Sequence, residues 1–114
     1  MPFEIQEMQA RPDGFELVFT KPVDAESAAD PASYAMNSYT YLYHSTYGSD
    51  EIQKRDLDIK SAEVSDDGLR VRLRVDGLRE LFVHELSAPG VRDRDGQPLL
   101  HHHAYYTLNR IPQP

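Results

Sequence analysis

The 114-residue chain contains no cysteine and no tryptophan. Without cysteine there is no disulfide staple, no thiolate metal site and no thiol nucleophile. Glycine is sparse, at six residues, and no phosphate-cradling glycine loop, Gly-x-Ser-x-Gly elbow or His-Glu-x-x-His helix occurs. Positive charge is also in deficit: 12 Lys and Arg against 19 Asp and Glu leave a formal net charge of −7. Nucleic acid and anionic membrane surfaces both reward a concentrated positive patch, so this balance argues against either as a partner. Long apolar runs are missing too. Residues 1–20 hold no basic stretch followed by an apolar core, and nowhere do the ~18 consecutive apolar residues of a membrane span appear. The sequence therefore predicts no enzyme, no cofactor and no membrane span.

What is present is alternation. Leu69-Arg70-Val71-Arg72-Leu73-Arg74-Val75 interleaves four apolar residues with three arginines. Only an extended strand, with one face in a core and one in water, puts every second side chain on one side. The same grammar predicts strands at Phe3–Gln6, Phe15–Thr20, Tyr34–Tyr43, Asp56–Val64, Leu81–Leu86 and His103–Leu108. In the second of these, Phe15, Leu17 and Phe19 share the face that should enter the core. Turns are predicted at Arg11-Pro12-Asp13-Gly14, Ser65-Asp66-Asp67-Gly68 and Asp93-Arg94-Asp95-Gly96-Gln97-Pro98, where proline fixes φ and glycine accepts positive φ. Asp24 to Tyr34 reads as one or two short helical turns, with Asp30 as N-cap and Pro31 in the first helical position.

About seven strands, with turn signals every ~8 to 12 residues, predict an all-β fold, an immunoglobulin-like β-sandwich with a short helical turn. An open meander barrel is the alternative; short unequal strands and the helical crossover near Pro31 favour the sandwich. Residues 1–110 form one domain in this reading, and 111–114 a proline-flanked tail.

Three phrases carry a family likeness: Phe15–Asp24, Asp30–Tyr34 and Val91–Leu99. On these the chain resembles the bacterial immunoglobulin-like domains appended to secreted and surface proteins. The stretch Ser38–Ser49 with Ala104–Pro112 is more specifically similar to the C-terminal module of large planctomycete-type proteins with sorbosone-dehydrogenase-like and cytochrome c regions. That resemblance implies a non-catalytic structural or docking module of a larger exported redox protein, extracytoplasmic in location, whose partners are the neighbouring domains of the polypeptide. It supplies no catalytic residue, and the cysteines of a c-type haem motif are absent.

Tyrosine is the one enriched aromatic, with seven residues, all of them in Tyr34–Tyr47 and at Tyr105-Tyr106. On a strand Tyr39, Tyr41 and Tyr43 share a face, and with His44 and Tyr47 they are the candidate docking surface, or a platform for a glycan or small ligand. Filling a sheet face in a core that lacks tryptophan is the plainer use. His101-His102-His103 is the candidate metal cluster, but strand alternation would let only His101 and His103 converge, leaving His44 or His84 to complete a site. Histidines satisfied by their neighbours are expected instead, and no metal. Asp93-Arg94-Asp95-Gly96 has the look of a calcium loop without its terminal bidentate Glu, so a turn built for its own backbone is expected. The arginines at 70, 72 and 74 are expected to pair with acids across a solvent-facing sheet.

Overall fold

The computed structural model describes residues 2–41, 51–80, 82–108 and 110–112. Among them are seven strands: β1 (Ile5–Arg11), β2 (Gly14–Phe19), β3 (Ala35–Tyr41), β4 (Glu51–Val64), β5 (Arg70–Asp76), β6 (Phe82–Ser87) and β7 (His103–Leu108). One helical turn, α1 (Ala25–Ala28), and one 3₁₀ turn (Pro31–Ser33) link β2 to β3. All pairings are antiparallel, in the order β1-β2-β5-β4-β3-β6-β7.

The long strand β4 makes two layers out of this one hydrogen-bonded order. Its first half pairs with β3 through Leu57, and its second half pairs with β5 from Asp58 onward. A register shift between Ile59 and Ser61 lies just past the handover. Such a bulge bends a strand and reverses which residues face inward, and the apolar phase of β4 changes there from Leu57 and Ile59 to Ala62 and Val64, all four packed in or against the core. One sheet is thus β1-β2-β5 with the end of β4; the other is the start of β4 with β3-β6-β7. This arrangement corresponds to the constant-type immunoglobulin order, a four-strand sheet over a three-strand one, with the fourth strand extended across both.

The layers face each other through buried side chains. Phe15 and Leu17 of β2 and Val71 and Leu73 of β5 are fully buried from one sheet, and Leu86 of β6 from the other. The Phe15 ring lies 5.6 Å from the His84 ring of β6 and 5.4 Å from the Tyr106 ring of β7. The inward face expected for Phe15, Leu17 and Phe19 is the one observed, at 0, 0 and 2% exposure. Burying one such side chain contributes about 1.5–3 kcal/mol.

The turns follow their local chemistry. Asp30 caps the 3₁₀ turn by accepting from Ala32 N–H at 2.9 Å, with Pro31 in the first position, and Asp24 caps α1 through Ser27 N–H at 3.1 Å. Short as they are, these turns are packed: Ala28 is fully buried, and the Tyr34 hydroxyl donates to its carbonyl at 2.6 Å. At the β4–β5 hairpin Gly68 has φ of 75°, a region that L side chains rarely enter. β1 begins two residues later than Phe3, which is instead a core residue stacked on Phe19 at 5.7 Å. Ile111 is half-buried against the core, and its N–H donates to Glu80 Oε2 at 2.6 Å.

Candidate functional site

Of the candidate tyrosines, Tyr39 is the one whose side chain is among the described residues. Tyr39 stands in β3 opposite Val83 of β6, and its side chain is only 5% exposed, so it presents no open ring face. Tyr41 is the last residue of β3, while Tyr43, His44 and Tyr47 lie outside the described residues. Tyr105 of β7 is the tyrosine that stands out here, at 60% exposure. It lies opposite Glu85 of β6, which in turn faces Asn37 of β3 and accepts from Asn37 Nδ2 at 3.1 Å. Asn37, Glu85, Ser87 and His103 of this face, with Asp56 and Asp58 of β4, line an open groove of about 590 Å³. The groove sits where β4 leaves β3 for the other sheet, and its lining is mixed, these polar side chains standing beside Pro31, Ala32, Ala35, Met36, Leu57 and Ile59.

The histidine run does not form a converging pair. β7 starts at His103, so strand alternation does not extend back over His101. His101 Nδ1 bonds Glu4 Oε1 at 2.8 Å, whereas the His103 ring lies against that of His102 at 4.3 Å. Among the described residues no three His, Asp or Glu side chains come together as a metal site. Asp93 is 3% exposed and occupied by its own turn, its Oδ1 accepting from the N–H groups of Asp95 and Gln97, each at 2.9 Å. That is the backbone role expected of it.

On the opposite outer face the arginines pair across the sheet as expected. Arg70 reaches Glu16 at 2.7 Å, Arg72 reaches Asp13 at 2.9 Å, and Arg74 lies 3.6 Å from Asp13. The hydrogen bond from Arg72 holds the Asp13 carboxyl below the usual carboxylate range. Burial pushes Glu16 upward, but bonds and charge from Arg70 and Arg11 outweigh it, and its pKa too is lowered.

A buried polar cluster inside the second sheet was not signalled by any motif. Ser38 of β3 and His84 of β6 are cross-strand partners, both at 0% exposure. Arg79, from the segment before β6, donates from Nε to Ser38 Oγ at 2.8 Å and from Nη2 to the Ser38 carbonyl at 2.9 Å. Its guanidinium also lies 3.8 Å from the centre of the Phe82 ring, a favourable cation–π geometry. His84 Nδ1 lies 3.1 Å from the Phe82 carbonyl, and Nε2 accepts from Arg79 N–H at 3.3 Å. Both ring nitrogens are satisfied when the proton sits on Nδ1 and the ring is neutral. Burial lowers the His84 pKa; the Phe82 carbonyl opposes this and the Arg79 charge adds to it. The signal in the sequence was parity: His84 alternates with Phe82 and Leu86, which places it on the inward face.

These features define an all-β sandwich with a buried polar network in its second sheet. No protein-family model matches the chain, and no curated protein matches it in sequence. Solved structures do resemble it. The S-layer protein SbsC is 22% identical with a TM-score of 0.72, the match covering 100% of this chain and 14% of that one. A structure of SbsC domains 1–6 is similar at 23% identity, TM-score 0.72 and the same two coverages. The N-terminal part of that bacterial protein matches at 21% identity and TM-score 0.69, over 96% of this chain and 24% of that one. At these identities the likeness is one of fold.

Proposed function

We propose that this chain is a non-catalytic structural module of a larger extracytoplasmic bacterial protein, and that it spaces and docks the domains beside it. The observation that carries the reading is one of scale: all of this chain superposes on 14% of a surface protein built of several domains. The geometry of the chain path supports it. Leu100 N–H bonds the Phe3 carbonyl beside the start of β7, while Ile111 is held by Glu80 beyond its end, so Phe3 and Ile111 lie toward opposite ends of β7. A redox parent of the sorbosone-dehydrogenase and cytochrome c type belongs to the same proposal and rests on the sequence resemblance.

The test is the mass of the native polypeptide, read in source cells with an antibody against this domain. A band far above that of 114 residues is expected; a band at that size would overturn the module reading. A second reading, a carbohydrate-binding module, is favoured by the open groove of mixed polar and apolar lining near the exposed Tyr105. A glycan panel decides it: retention that weakens with Tyr105→Ala supports this role, and no retention of any glycan sinks it.

A further inference from the structure

His84 lies at the inner end of a chain of contacts that runs to Ile111. Its Nε2 accepts from the backbone of Arg79; Arg79 is pinned through its guanidinium to both the hydroxyl and the carbonyl of Ser38; the next residue, Glu80, receives the N–H of Ile111. The segment from Gly77 to Glu80 is therefore a strap, fastened inward by His84 and Ser38 and holding Ile111, which packs against the core, through Glu80. We propose that this strap is an acid-sensitive latch: protonation of His84 breaks its bond to the Arg79 N–H and so loosens the backbone of the strap, and with it the hold of Glu80 on Ile111, while the Arg79–Ser38 bonds and the rest of the sandwich stay in place.

The argument is one of donors and acceptors. Neutral His84 has one donor and one acceptor, and its two partners are one acceptor and one donor. An added proton on Nε2 sets an N–H against the Arg79 N–H, and a buried donor without an acceptor costs free energy. It also places a cation near the fixed guanidinium of Arg79. The groups around the ring offer no compensating anion among the described contacts. Ser38 of β3 supplies a hydroxyl already bonded to Arg79, β2 the ring of Phe15, β7 the phenol-bearing Tyr106 as cross-strand partner, and β6 the Phe82 carbonyl. Arg55 of β4 adds a second positive charge felt by Arg79. The cheapest relief is local, because Arg79 and Ile111 lie in no strand, whereas His84 is tied into pairing on both sides.

Native-state hydrogen exchange on the 114-residue chain, corrected for intrinsic pH effects, tests this between pH about 7.5 and about 5. The expected result is that the amides of Arg79 and Ile111 lose protection together, by about tenfold or more, over the range in which the His84 ring resonance titrates, while Val71 and Leu73 keep theirs. His84→Gln, which cannot be protonated, should abolish the response. Glu80→Gln is a surface change that keeps an acceptor for Ile111, and it should leave the response in place, which separates the imidazole from the carboxylate. Loss of protection at Val71 and Leu73 at the same pH would mean global unfolding and overturn the latch. So would Arg79 and Ile111 amides that stay protected while His84 titrates, a His84 that stays neutral throughout, or a response that vanishes in Glu80→Gln.

Discussion

The two outer faces of the sandwich use charge in opposite ways. On the β1-β2-β5 side, arginines at every second position of β5 meet Asp13 and Glu16, and the outward row is a lattice of exposed ion pairs. On the β3-β6-β7 side the outward row runs from Asp56 of β4 through Asn37 and Glu85 to Tyr105, with two acids and no base, while Arg79 of the segment before β6 is drawn to the inner network at Ser38. A charged lattice keeps a face in water and discourages edge-to-edge association. A row of amide, carboxylate and phenol beside an open groove has the mixed character of surfaces that meet partners.

The largest effect should come at the seam of the charged sheet. A Cβ on Gly14 would lie 1.9 Å from the Leu73 carbonyl oxygen, so Gly14→Ala must push β2 from β5 and cost about 3 kcal/mol or more. Chemical denaturation should report it as a lower midpoint; an unchanged midpoint would mean the strands separate freely. Next comes the inner network of the other sheet. Ser38→Ala removes the acceptor of Arg79 Nε at a fully buried position, with an expected loss of about 1–3 kcal/mol by the same measurement.

An acid titration of stability should separate the two faces. The folded-state pKa of His84 is lowered from an ordinary 6.5, so the unfolded chain binds its proton first. Its contribution is whole above about pH 6.5 and is lost as pH falls from there through the lowered folded value. Asp13 and Glu16 are lowered from 3.8 and 4.5, so their stabilisation is present above those values and is lost only as pH falls through the lowered ones. Two acid limbs are expected, and His84→Gln should remove the upper one alone.

Smaller still is Asp13→Asn, which loosens pairs whose aspartate is 45% exposed; about 0.2–1 kcal/mol is expected, falling further in high salt. Tyr105→Ser should shift stability by less than about 0.5 kcal/mol, since the ring is 60% exposed. If that variant unfolds the domain instead, the tyrosine belongs to the architecture and the contrast between the faces is lost.

Much of this was legible in the residues. β7 was expected at His103–Leu108 and is found there, because nothing interrupts its alternation. The Asp30-Pro31 cap and the Asp93 turn were equally plain, since each depends on side chains within four residues of the backbone they serve. β1 was harder. A register shift between Ile5 and Glu7 breaks its period, and the pattern faded where the strand continues to Arg11. β4 was expected from Asp56 but starts at Glu51, and its phase changes at the bulge past Ile59. A period cannot be followed through a bulge, and which half of a strand joins which sheet is a property of its neighbours.

For the candidate site the balance is different. Parity in β6 is the one signal that could have placed His84 and Phe82 inward, and nothing along the chain joins Ser38 to Arg79, 41 residues away, or Glu80 to Ile111, 31 away. Local rules reach only a few residues: alternation, caps and turn chemistry are settled by what a backbone can do with its adjacent side chains, and they determined the strands, the helical turns and the charged ladder. The tertiary structure decided that β4 would serve both sheets, that His101 would turn to Glu4, and that a buried imidazole would be tied through a strap to Ile111. Those outcomes depend on which surfaces close over one another, a cooperative choice made by the whole core at once.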